Sequence, residues 1–121
     1  MLYSVNELRQ ELLPFIAFVK KRMKLKSNPG VRMVQSMNHQ GGQPSFATYS
    51  PRDNLITVVY KNRHIIDILR SLAHEMAHAK QHEQHALEIQ SGQTGSKQEN
   101  QANAWAGILM RDWAKQNPYL F

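Results

Sequence analysis

The spacing of apolar residues divides the chain into stretches with the period of a helix and stretches with the composition of strands. Apolar side chains recur every three or four positions in three long stretches, which predicts amphipathic helices at about 5–25, 64–88 and 97–114. Short runs rich in β-branched and aromatic residues predict strands at 31–37, 46–49 and 55–60. Turn-forming segments separate these runs, so we expect a small three-stranded antiparallel sheet. Together these elements predict a single α+β domain over residues 1–121.

Particular residues mark the ends of the predicted helices. Ser4 and Glu7 have the spacing of a capping box, and Pro14 can kink or split the first helix. Pro118 lies beyond the last helix, so we expect residues 119–121 to form an extended tail. Trp105 and Trp113 lie eight residues apart on the last helix, and we interpret them as anchors of the core.

Length and composition exclude several classes of protein. A chain of 121 residues supports one modest core and one compact site. The absence of cysteine excludes disulfides, thiolate metal sites and cysteine nucleophiles, and it leaves His, Asp and Glu as metal ligands. The longest apolar run, 12–19, is too short to cross a bilayer and has its lysines after it, unlike a signal peptide. We therefore expect a soluble, cytoplasmic protein without a membrane partner.

The net charge of +6 is concentrated in the first half of the chain. Residues 1–63 hold ten Lys and Arg against three acidic residues, whereas residues 64–121 hold five against six. The densest basic stretch consists of Lys20, Lys21, Arg22, Lys24 and Lys26. One hypothesis is that it binds an anionic partner such as nucleic acid. The other is a solvated helix end, since positive side chains favour helix C-termini.

The second predicted helix carries an HExxH sequence, formed by His74, Glu75 and His78. Residues four apart on a helix lie on one face, about 6 Å apart along the axis, so two imidazoles can bind one zinc ion. The intervening glutamate can reach the water of such an ion and act as general base and acid. This arrangement is typical of a zinc-dependent hydrolase.

A catalytic zinc site normally has a third protein ligand, and three candidates follow the motif. His82 lies two turns from His74, about 12 Å along the axis, which is too far for one ion on a straight helix. His85 falls one position later than the metzincin pattern HExxHxxGxxH requires. Glu99 lies 21 residues after His78, at the start of a helix that can pack antiparallel to the first.

The pattern around Glu99 allows two interpretations. Ser96 and Glu99 have capping-box spacing, so the carboxylate could serve only the helix end. Alternatively, Ala102 and Ala106 share its face and permit close approach to the HExxH helix. Asn103, one turn later, could then orient a ligand histidine by a hydrogen bond. We favour Glu99 as the third zinc ligand.

Over residues 45–114 the chain resembles the gluzincin class of zinc metallopeptidases. The resemblance rests on two motifs, HExxH at 74–78 and ExxAN at 99–103 with the tryptophan and alanine that follow. Length and element order are similar to the minigluzincins and to small metallopeptidases encoded by bacteria and tailed phages. It implies a zincin-like fold and an endopeptidase in which His74, His78 and Glu99 bind Zn²⁺ and Glu75 is catalytic.

The resemblance implies three further features. The strand at 55–60 would pair with an extended polypeptide substrate. A Tyr or His would stabilise the oxyanion, and Tyr119 is the one such residue after Glu99. Upstream candidates are His39, Tyr49, Tyr60 and His64, among which spacing selects none. Some small members of the class are latent, and Leu120 and Phe121 are candidates for a segment that covers the zinc.

Two other functions compete with the peptidase. The basic first helix could make the chain a nucleic-acid-binding module, although few aromatic residues accompany its positive charges. A zinc site without catalysis would make it an interaction domain. Sequence favours the peptidase because HExxH and a reachable glutamate occur together.

Overall fold

A computed structural model describes residues 4–37, 46–84 and 97–120. These ranges form three helices, a three-stranded sheet and a short 3₁₀ turn, which confirms the α+β class. In chain order the elements are α1 (Val5–Met23), β1 (Gly30–Val34), β2 (Ala47–Ser50), β3 (Leu55–Val59), α2 (Ile65–Glu83), α3 (Lys97–Gln116) and the 3₁₀ turn (Pro118–Leu120).

Helix α1 begins at the predicted capping box. The Glu7 backbone N–H donates to the Ser4 hydroxyl (3.2 Å), and the Ser4 N–H donates to the Glu7 carboxylate (3.1 Å). The helix is continuous through Pro14, which lies on the exposed face, where water can satisfy the carbonyl that loses its partner. It ends at Lys24, whose φ of 55° is left-handed.

The sheet is mixed, so the prediction of a three-stranded antiparallel sheet is wrong. Strand β3 is central; it pairs with β2 in antiparallel and with β1 in parallel orientation. The four-residue turn at 51–54 constrains β2 and β3 to a hairpin, whereas the longer connection from β1 to β2 leaves the direction of β1 free. Residues 56–59 of β3 are all buried, as suits a central strand.

The central position of β3 also corrects the expected substrate strand. Both edges of this strand are hydrogen-bonded within the sheet, to β1 on one side and to β2 on the other. An added strand needs a free edge. The segment at 55–60 therefore does not offer one to a polypeptide.

Helix α2 is the centre of the packing. It contacts α1, α3, β2 and β3, and its Leu69 and Leu72 are fully buried. Trp113 of α3 packs edge-on against Phe15 of α1, with ring centroids 5.4 Å apart. Trp105 is half-buried and packs against the same core, so the prediction of two tryptophan anchors is confirmed. The core thereby fixes α3 alongside α2.

The C-terminal residues do not form an extended tail. Residues 118–120 make a 3₁₀ turn, in which the Leu120 N–H donates to the Asn117 carbonyl (3.1 Å). Leu120 is 5% exposed and belongs to the hydrophobic core, whose burial favours the turn over an extended chain. This placement in the core gives no support to Leu120 as a cover for the predicted metal site, and Phe121 lies outside the described residues.

Candidate metal centre

Three side chains from α2 and α3 converge on one point. His74 and His78 lie one turn apart on α2, and Glu99 lies in the first turn of α3. The Glu99 carboxylate reaches both imidazoles, with Oε1 2.8 Å from His74 Nε2 and Oε2 3.0 Å from His78 Nε2. One ligand atom from each residue lies within 4.8 Å of the others. The structure thus brings together the three residues that the sequence predicts.

Small residues on α3 permit this approach. Ala102 is fully buried and Ala106 is 3% exposed, and both belong to the core that joins α3 to α2. The Glu99 side chain contacts the histidines of α2, as the ligand interpretation requires. Ser96, its proposed capping partner, lies outside the described residues.

The other two candidate ligands differ in placement. His82 is exposed and lies against Tyr49 of β2, with ring centroids 6.3 Å apart. Among the described residues, the group able to hold a metal contains His74, His78 and Glu99 but not His82. His85 falls outside those residues.

Gln81, a buried residue that the sequence patterns did not assign to the site, orients His78. Gln81 is 2% exposed; its Nε2 donates to the Gln98 carbonyl (2.9 Å) and to Gln101 Oε1 (2.8 Å). A carbonyl only accepts, so the amide nitrogen faces α3 and Oε1 faces His78 Nδ1 at 2.8 Å. His78 must therefore donate from Nδ1. The sequence does contain a signal for this contact, because Gln81 lies three residues after His78 and therefore on the same face of the helix.

The orientation of Gln81 decides what His78 can bind. In a neutral imidazole with the proton on Nδ1, Nε2 is an acceptor. This Nε2 faces the Glu99 Oε2, which is also an acceptor when ionised, at 3.0 Å. Two acceptors at that distance need a positive species, a metal ion or an added proton, between them. The donor set of two imidazoles and a carboxylate suits zinc, so the residues fit the metal that the sequence predicts.

The Asn103 side chain lies close enough to His74 to act on its pKa, and both residues line the same cleft. That Asn103 orients the imidazole stays a prediction. Burial lowers the pKa of His74, although the Glu99 charge and the Asn103 side chain act in the opposite direction. The lowered pKa favours the neutral imidazole, which is the form that binds metal.

Glu75 points away from solvent and is 8% exposed. Burial, with a smaller contribution from the negative charge of Glu99, raises its pKa to about 8. A carboxyl with a pKa in this range can both take up and release a proton near neutral pH.

A cleft of about 560 Å³ adjoins the cluster. It lies along the N-terminal half of α2 and is lined, among others, by Phe46, Arg63, Arg70, Ser71, His74 and Asn103. Since His74 belongs to both the cluster and the cleft wall, a molecule in the cleft would lie beside the cluster of His74, His78 and Glu99.

The candidate oxyanion stabilisers occupy different places. The Tyr119 hydroxyl donates to a carboxylate of α1, Glu11 (2.9 Å), and the Tyr49 hydroxyl donates to an asparagine of the β2–β3 turn (2.9 Å). His64 caps α2, accepting from the Ile66 N–H, and lines the cleft beside His74. Tyr60 lines a separate groove along α1, and position 39 is outside the described residues. The role of Tyr119 stays a prediction.

The basic stretch at 20–26 joins α1 to the rest of the fold. Lys20 is hydrogen-bonded to Asn28, and Arg22 pairs with Asp112 of α3 at 2.7 Å. The backbone N–H of Lys26 donates to the Glu83 carboxylate of α2 (2.9 Å). Its first three cations form the last turn of α1, which confirms the helix-end interpretation. Binding of an anionic partner there stays a prediction.

Comparison with protein-family models, with curated proteins and with solved structures gives no match to this chain. No helix within 4–37, 46–84 and 97–120 combines the length and the apolar character needed to cross a membrane. The interpretation of the site therefore depends on its own geometry.

Proposed function

We propose that the chain is a zinc-dependent metallopeptidase of the gluzincin kind, with a zincin-like fold. The observation that carries the proposal is the contact between Glu99 Oε2 and His78 Nε2. Gln81 makes that nitrogen an acceptor, so a cation between the two atoms would satisfy both. His74, His78 and Glu99 would hold the ion.

Zinc at this point would supply a Lewis acid that lowers the pKa of water and polarises the scissile carbonyl. Glu75 would accept a proton from the attacking water and deliver it to the amine of the leaving fragment. Its burial excludes most of the solvent that would otherwise compete for the proton. Asn103 and Gln81 would keep the two imidazoles in place.

Zinc binding is the first test of the proposal. We expect one zinc ion per chain, and a lower affinity in Glu99→Ala, measured by competition with a chromophoric chelator. His82→Ala is the matched control, because it removes an exposed histidine of the same helix and should leave the affinity unchanged. Equal affinities in wild type and Glu99→Ala would remove Glu99 from the site.

Catalysis is the second test. We expect zinc-loaded wild type to cleave denatured, fluorescently labelled casein, and Glu75→Gln to bind zinc without cleaving. Equal turnover by both proteins would contradict the role of Glu75. Tight zinc binding without cleavage of casein by wild type would refute the peptidase and favour a non-catalytic zinc-binding domain.

A further inference from the structure

The charges in the cleft beside His74 suggest what it can accept. Its lining contains two guanidinium groups, Arg63 and Arg70, against one carboxylate, Asp67. The backbone N–H groups of residues 66–68, at the start of α2, already donate to His64. The arginine side chains are therefore the groups to consider as partners for a bound molecule.

Arg63 is committed to the protein. Its Nη1 donates to the Val59 carbonyl (3.0 Å), and its Nη2 donates to the Asp67 carbonyl (3.0 Å) and the Ser71 hydroxyl (2.8 Å). The guanidinium also lies 4.6 Å from the centroid of the Phe46 ring. These contacts make Arg63 a fixed wall of the cleft that contributes positive charge.

Arg70 is held much more loosely. Its side chain is 56% exposed. Its Nη1 lies 3.9 Å from Oδ1 of Asp67, whose side chain is 57% exposed. This separation is longer than a hydrogen bond, and exposed pairs of this kind contribute little. Arg70 and His74 lie four residues apart on α2, so they share one face of the helix and both line the cleft.

We propose that the cleft receives an acidic side chain of a polypeptide substrate, next to the bond that is cut, and that Arg70 binds its carboxylate. The inference rests on the proposed peptidase function. Arginine presents paired N–H donors that match a carboxylate, and Arg63 adds a second positive charge that disfavours basic side chains. Because Arg70 lies one turn from His74 on α2, a side chain bound by Arg70 would lie next to the proposed metal site.

The test measures binding without cleavage. Zinc-loaded Glu75→Gln is titrated calorimetrically with three blocked pentapeptides that have glutamate, glutamine or lysine at the centre of four alanines. We expect the glutamate peptide to bind about tenfold more tightly than the glutamine peptide, as a charge-assisted hydrogen bond allows. Adding Arg70→Gln should remove this preference, and Arg70→Glu should shift it to the lysine peptide.

Arg111→Gln is the matched control, because Arg111 is exposed on α3 and is not among the residues that line the cleft. It should keep the preference for glutamate. Equal affinities for the glutamate and glutamine peptides, or a preference that survives in Arg70→Gln, would overturn the inference. Cleavage of casein without such a preference would overturn the inference alone. If Glu75→Gln shows the preference but zinc-loaded wild type cleaves nothing, the peptidase is refuted and the acidic-group site remains.

Discussion

Replacing Glu75 with glutamine should change how the stability of the metal-free protein depends on pH. In the folded chain, burial and the charge of Glu99 raise the pKa of Glu75 from 4.5 to about 8. The folded state therefore holds a proton that the unfolded state releases in this interval. Stability from this group is present at low pH and is lost as pH rises from 4.5 towards 8.

The size of this effect follows from the two pKa values. One pKa unit corresponds to about 1.4 kcal/mol, so titration of Glu75 should cost about 3.5 kcal/mol of stability between pH 5 and pH 8. Glutamine has nearly the same shape and does not ionise. Glu75→Gln should therefore lose less stability than wild type over this interval, by about that amount.

The assay is urea unfolding in the presence of a chelator, followed by tryptophan fluorescence at several pH values. The difference between the two proteins at each pH removes the contributions of the other titrating groups. Glu7→Gln is the control, because backbone and side-chain hydrogen bonds with Ser4 lower the pKa of Glu7 below 4.5. The stability from Glu7 is lost only as pH falls through that lowered pKa, so Glu7→Gln should run parallel to wild type between about pH 5 and pH 8. Parallel stability curves for wild type and Glu75→Gln would refute the reasoning.

Three further predictions concern the site and its scaffold. Gln81→Leu should weaken zinc binding about 10- to 100-fold, since His78 loses the acceptor that orients it; chelator competition measures this, and an unchanged affinity would contradict it. Leu72→Ala should lower the free energy of unfolding by about 2–5 kcal/mol in urea, because Leu72 is fully buried; a decrease below about 1 kcal/mol would contradict tight packing around Leu72. Arg22→Ala should cost less than about 1 kcal/mol, because its pair with Asp112 is partly exposed; a larger loss would indicate that this pair holds α1 to α3.

Features that depend on neighbouring residues were predictable. The capping box at Ser4 forms as predicted, and α2 and α3 begin within one residue of the expected positions. Helical periodicity and capping bonds act over three or four residues, so they can be recognised in the sequence. The same spacing places His74 and His78 on one face of α2.

Features that depend on pairing between distant segments could not be predicted from the sequence. The parallel direction of β1 and the central position of β3 are set by pairing between strands that are far apart in the chain, and nothing within either strand specifies them. The 3₁₀ turn at 118–120 likewise forms because Leu120 finds a place in the core. Each outcome reflects competition among surfaces that are far apart in the chain.

The candidate site combines both kinds of information. The sequence by itself determined the HExxH pair, the exclusion of cysteine ligands and a short set of third ligands that included Glu99. Only the packing of α3 on α2 brought Glu99 within 3.0 Å of both imidazoles and placed Gln81 between His78 and the backbone of Gln98. Local periodicity decides which face a side chain occupies, whereas the burial of apolar surface between helices decides what that face meets.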